Sequence, residues 1–198
     1  MTAATPKGRP REFDPNLALQ RAMEVFWEQG YEGASLTELT ATMGISRTSM
    51  YAAFGNKQDL FAKALQRYAD GPASYGWKAL DKSTAKEVAV AILKGAVKTT
   101  TDASTPAGCL TVQGALAASD AARDIRHLLV SWRNQTVAHL TKRFERAIDE
   151  GDLPDDANAA VLARYIITVS NGIAVQAASG ASRADLTRVA DAALRNWP

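Results

Sequence analysis

The sequence predicts an all-α protein: an N-terminal three-helix helix-turn-helix domain followed by a larger helical domain. Three observations carry that expectation. No segment alternates apolar and polar residues with period two, whereas apolar residues recur at helical spacing along the chain. Three short helix signals crowd together within about 40 residues, with a glycine between the second and third. Beyond Gly71-Pro72 the apparent helices lengthen and become rich in alanine.

Each element has a local reason. Asp14 before Pro15 is an N-cap followed by proline at the first helical position, and Leu19, Ala22, Met23 and Phe26 then recur at helical spacing, ending near Gly30. Ser35-Leu-Thr-Glu38 reads as a capping box that starts a second helix to about Met43, with Gly44 turning the chain. A third helix starts at Ser46 and stops at Gly55. Asn56 and Asp59 then cap a fourth that carries Leu60, Phe61, Ala64, Leu65 and Tyr68. Farther on, the pattern predicts helices over 84–101, 113–119, 121–150, 156–179 and from the capping box Ser182-Arg-Ala-Asp185 to Asn196. The long helix over 121–150 shows Ile125, Leu129, Trp132, Leu140 and Phe144 on one stripe.

Composition narrows the function classes. With 198 residues, 46% apolar and 22% charged, the chain can bury a real core. The first residues lack the apolar run of a signal peptide, and the apolar segment Tyr165 to Val175 is too short to cross a bilayer, so a soluble cytoplasmic protein without a membrane partner is expected. A single cysteine, Cys109, excludes an internal disulfide and has no basic neighbours in sequence, which suits a buried inert thiol. His127 and His139 stand twelve residues apart, too far to chelate one ion unaided, so no metal or other cofactor is expected. Asp152, Asp155 and Asp156 flank Pro154 at a helix start, where capping accounts for them. No nucleophile and base, metal cluster or phosphate loop marks an enzyme.

The net charge of +2 is small, but Lys7, Arg9 and Arg11 lie in a segment with no acid. This arm is either a solvated tail or a basic strand for a DNA minor groove. The third helix is more informative. Met50 and Phe54 form an apolar pair at i, i+4 that seats it, while Thr48, Ser49 and Ala52 point away and Arg47 and Tyr51 flank them. Small and hydrogen-bonding residues suit a helix that approaches base edges in a major groove, where arginine reads guanine in a bidentate contact. An ordinary exposed helix would also permit this pattern.

Residues 14–61 resemble the DNA-binding domain of the TetR family of bacterial transcriptional regulators. The likeness rests on Ala22 to Phe26, Gly30-Tyr31, Ser35-Leu-Thr-Glu-Leu39, Met43-Gly-Ile-Ser46, Met50-Tyr51 and Phe54-Gly-Asn-Lys57-Gln-Asp-Leu60-Phe61. The resemblance implies a basic arm over 1–13, a helix-turn-helix domain over 14–60 and an effector-binding and dimerisation domain over 61–198. It implies base contacts from Arg47, Thr48 and Ser49, and phosphate contacts from Tyr51, Lys57 and Thr37, where helix N-termini favour anions. Ala52-Ala53 departs from the aromatic residue and histidine common in the family. Either Arg47 and the arm compensate for the lost contacts, or the operator is read less stringently.

The resemblance further implies a small-molecule pocket among the central helices. Trp77, Trp132, Phe144 and Tyr165 are its candidate lining, with core packing as the alternative, and the low charge of those faces favours an apolar effector. The 156–179 helix is apolar over a wide arc. Its small-residue face, Ala163, Ile167, Ser170, Ala174 and Ala177, together with Leu186 and Val189 of the last helix, is expected either to pair with a second copy or to face the chain's own core. The functional expectation is a homodimeric repressor that binds a palindromic double-stranded DNA operator and is released by a small-molecule effector. An activator of the same architecture, or a nucleoid-type DNA-binding protein without a ligand, is the alternative.

Overall fold

The structure is a computed structural model that describes residues 13–113, 122–195 and 197–198. The basic arm with Lys7, Arg9 and Arg11, and most of the helix expected over 113–119, lie outside the described residues.

Ten helices form among the described residues, and no strand. α1 (Pro15–Gly33) starts where Asp14 accepts from the N–H groups of Asn16 and Leu17, and it kinks at Gly30, whose φ of 72° is open to glycine. α2 (Leu36–Met43) is capped by Ser35 and closed by Gly44 in the left-handed region. The expected capping box forms only by half: the Glu38 carboxylate accepts from Gln29 Nε2 at 2.5 Å instead of reaching back to Ser35. α3 (Arg47–Phe54) is capped by Ser46 and ends at Gly55, and α4 (Lys57–Asp70) carries the complete Asn56–Asp59 box.

A short α5 (Tyr75–Ala79), which the sequence reading did not anticipate, leads to α6 (Ala85–Thr100) with a Thr84–Glu87 capping box. α7 (Leu110–Gln113) precedes the expected position, and α8 (Arg123–Asp149) and α9 (Ala159–Ala178) follow, then α10 (Arg183–Arg195). α9 is capped by Asn158, not by Asp156. Asp152 serves another helix: its carboxylate accepts from Ala85 N at 2.5 Å, satisfying a first-turn donor of α6.

Two cores organise these helices. One joins α1–α4 through Met23, Phe26, Trp27, Leu39, Met50 and Phe61, and reaches into the body through Leu110, Ile125 and Leu129. Phe26 meets Phe61 edge-on at 5.0 Å, and Trp27 meets Tyr68 at 4.7 Å. The whole of α4 therefore packs with the helix-turn-helix, and a boundary at residue 60 passes through it. Trp27 also donates to the Gly108 carbonyl at 3.1 Å, tying the head to the loop before α7.

The second core gathers α6, α8, α9 and α10 around Leu93, Phe144, Ile166, Ile173 and Leu194. Fully burying each such side chain is worth about 1.5–3 kcal/mol. Ala163, Ala174 and Ala177 of α9 and Leu186 of α10 are buried in their own chain, so these four cannot meet a partner. Close helix packing is the reason: small residues let α9 approach its neighbours. By length and mean hydropathy, 1.2 over its window, α9 could span a bilayer, and it is longer than the Tyr165 to Val175 segment singled out in the sequence. Its buried side, a third of that window, completes the second core, and Val161, Tyr165 and Val175 stay exposed on the other side.

Candidate nucleic-acid interface and ligand cavity

α3 is seated by Met50 and Phe54, both buried, while Arg47, Thr48, Tyr51 and Ala52 are exposed. Ser49 is half-buried and its N–H donates to Ser46 Oγ at 3.1 Å, while the two hydroxyls lie 3.0 Å apart. Arg47 Nη2 donates to Thr37 Oγ1 at 2.7 Å. This bond links the starts of α2 and α3 and holds together the two residues expected to contact a base and a phosphate. At the far end of α3, Lys63 Nζ donates to the Phe54 carbonyl at 3.0 Å, and Phe13 packs on Phe54 with ring centroids 6.4 Å apart.

Lys57, in the first turn of α4, is half-buried with its ammonium 4.5 Å from the centre of the Tyr31 ring. Burial pushes this ammonium below the ordinary lysine value, and Glu32 partly restores it. Burial, then Asp124 and Glu32, push the Tyr31 phenol up. Lys57 thus occupies the helix start expected for a phosphate contact, with its stem packed rather than free in solvent.

A cavity of about 110 Å³ lies in the body, bounded by α4–α9. Tyr68 and Tyr75 form part of its wall. Burial pushes both phenols above the usual tyrosine value, with Cys109 adding to each, so both stay neutral at physiological pH. Trp77, 39% exposed, meets His139 edge-on at 5.0 Å, and His139 Nδ1 lies 2.7 Å from the Gln135 carbonyl. Trp132 and Arg133 add α8, and Ile167, Ser170 and Asn171 add α9. Of the four aromatics singled out in the sequence, the structure brings Trp77 and Trp132 to this wall.

Phe144 and Tyr165 lie elsewhere, a correction to the expected lining. Phe144 is fully buried against Trp197 at 5.3 Å, because its position on α8 faces the second core. Tyr165 is 44% exposed on the opposite side of α9, with its hydroxyl donating to the Ala193 carbonyl at 3.3 Å. Ile167 and Ser170, expected at a dimer face, line the cavity, and Val189 is exposed. Cys109 also stands on the cavity wall, half-buried and 3.1 Å from Thr111 Oγ1, rather than deep in a core. The sequence reading did not place Tyr68, Tyr75 or Arg133 at a cavity, since residues on α4, α5 and α8 converge only through tertiary packing.

Comparison with known proteins agrees with this architecture. Residues 18–64 match the model of bacterial regulatory proteins of the tetR family, and residues 87–193 match the tetracyclin repressor-like C-terminal domain. The HTH-type transcriptional repressor ComR of Escherichia coli is 31% identical over 97% of this chain and 92% of its own length. The HTH-type transcriptional repressor BdcR of the same organism is 35% identical over 60% of each chain. A cysteine mutant of the TetR family transcriptional regulator CifR, complexed with 26 bp double-strand operator DNA, superposes with a TM-score of 0.92. It is 41% identical, over 96% of this chain and 100% of that one. The helix-turn-helix head, the helical body and these matches together make the chain a member of the TetR family of bacterial regulatory proteins.

Proposed function

We propose that this protein is a cytoplasmic transcriptional repressor that binds a palindromic operator as a dimer and releases it when a small molecule enters the cavity. The observation that carries the reading is the outward face of α3: Thr48 and Ala52 stand exposed between Arg47 and Tyr51, while Met50 and Phe54 anchor the helix. Arg47 reads base edges, Thr48 and Ser49 contact bases at the start of the helix, and Ala52 leaves room for a thymine methyl. Tyr51, Thr37 and Lys57 hold phosphates, and the Lys7, Arg9 and Arg11 arm adds charge. CifR, a close structural neighbour, is seen on operator DNA, which supports the same use of the head here.

Dimerisation uses the side of α9 left open by its core. Val161, Tyr165 and Val175 are exposed at 61%, 44% and 41%, and Thr168 and Gly172 fall between them. Positions 161, 165, 168, 172 and 175 keep the three-and-four spacing of a helix seam, and Val189 of α10, 49% exposed, is a further contact.

The test is selection of bound sequences from a random DNA library at near-physiological salt, with Arg47→Ala and Lys57→Ala in parallel. The native protein is expected to enrich an inverted repeat. Arg47→Ala should relax base preference by about 1–3 kcal/mol at its position. Lys57→Ala should weaken all sequences alike and reduce the salt slope by about one unit. Failure of the native protein to enrich any sequence would overturn the reading in favour of a nucleoid-type binder.

A further inference from the structure

We propose that the cavity takes a small organic anion, an apolar or aromatic body with a carboxylate whose charged end pairs with Arg133. The inference rests on the reading of the cavity as an effector pocket and adds the chemistry of its ligand. Among the described lining residues no aspartate or glutamate is present, whereas Arg133 is. Among the described lining residues Arg133 is therefore a permanent positive charge with no carboxylate beside it. Arg133 is half-buried, and Nη1 donates to the Thr111 carbonyl at 3.1 Å, which fixes the guanidinium against α7.

A neutral carbonyl is a weak partner for a partly desolvated guanidinium. The planar fork of arginine matches a carboxylate with two parallel hydrogen bonds, and such charged pairs are about twice as strong as neutral ones. The other polar wall groups fit the same ligand. Asn171 can donate to a carboxylate oxygen, whereas the Thr136 hydroxyl donates to the Trp132 carbonyl, and the phenols of Tyr68 and Tyr75 present no negative charge against it. The rest of the wall, with Trp77, Leu80, Ile92, Trp132 and Leu140, suits an apolar body. A cavity of about 150 Å³ holds benzene, so this space is on the scale of one ring.

The charge also gives the ligand a purchase on the DNA-reading head. Thr111 belongs to α7, which packs on α1 and α4, and the Gly108 carbonyl just before α7 accepts from Trp27 of α1. A carboxylate on Arg133 draws on the same guanidinium that Nη1 ties to the Thr111 carbonyl. An anion thereby alters the anchoring of α7, and a neutral isostere does not.

The test is calorimetric titration of the full-length protein with benzoate, phenylacetate and 4-phenylbutyrate, each beside its uncharged amide. At least one acid should bind about tenfold or more tighter than its amide, the difference expected of a charged hydrogen-bonded pair. Arg133→Gln keeps a donor for Thr111 but removes the charge, and should bring the ratio to about one. Arg133→Lys keeps the charge without the fork, and should retain a reduced preference, which serves if the glutamine variant does not fold. Amides that bind as tightly as the acids, or a preference that survives Arg133→Gln, would overturn the anion assignment and leave the pocket reading standing. No binding by any acid or amide would sink both.

Discussion

Gly95, in the middle of α6, is where one added methyl group should do the most revealing damage. A Cβ built there would lie 2.6 Å from Tyr75 Cγ, closer than real Cβ atoms come, and a tight 3.0 Å from Tyr75 Cβ. The obstruction is the root of the Tyr75 side chain, which cannot swing clear as a flexible tip would. Overpacking of this kind costs about 1–3 kcal/mol. Alanine in a helix interior recovers about 1 kcal/mol relative to glycine, so Gly95→Ala should lose roughly 0–2 kcal/mol net. At about 2–4 °C per kcal/mol for a chain of this size, a loss of about 1 kcal/mol lowers the thermal midpoint by about 2–4 °C.

The decisive comparison is the same substitution in a Tyr75→Ala background. With the ring gone, only the helix-propensity gain survives, and Gly95→Ala should raise stability by about 1 kcal/mol. The assay is denaturant unfolding of the native protein, both single variants and the double variant. If Gly95→Ala destabilised equally with and without Tyr75, the contact would not be the reason for glycine at that position. Since Tyr75 also lines the cavity, the single variant should lose affinity for any ligand that fills it.

Alkaline stability follows from the two buried phenols. Tyr68 and Tyr75 have folded-state values raised above 10.0, so the stability they contribute is complete below about pH 10 and is lost as pH rises through the folded values. Ultraviolet difference titration should show Tyr31, Tyr68 and Tyr75 ionising later than the other two tyrosines, with Tyr68 and Tyr75 titrating together with unfolding. Ordinary reversible ionisation of all five would contradict their burial. Phe144→Ala should cost about 3–5 kcal/mol in denaturant unfolding while leaving ligand affinity of the folded protein unchanged, because Phe144 is fully buried away from the cavity. Trp77→Ala should do the reverse, costing under about 1 kcal/mol while weakening cavity binding, as expected of a half-exposed rim residue.

Most of the helix starts were legible in the sequence because each depends on a few adjacent residues. Asp14-Pro15, Ser46 and the Asn56–Asp59 box act through bonds to N–H groups within one turn, so their chemistry is complete before the chain packs. The α3 surface was readable for the same reason: Met50 and Phe54 at i, i+4 determine which side is buried, and Arg47, Thr48, Tyr51 and Ala52 are left outside. Where a cap had a choice of distant partners, tertiary structure decided. Glu38 bonds Gln29 from another helix, and Asp152 caps α6 across 67 residues of sequence.

The orientation of α9 and the composition of the cavity were also tertiary decisions. α9 is apolar around much of its circumference, so periodicity alone could not say whether the alanine side faced its own core or a partner. Packing put Ala163, Ala174 and Ala177 inside and left Val161, Tyr165 and Val175 outside. Phe144 and Trp132 share a helix and an apolar character, yet one closes the second core and the other lines the cavity. That difference depends on what stands opposite each side chain. Local sequence determines where a helix begins and which residues share a face; which neighbour covers that face is set by residues dozens of positions away.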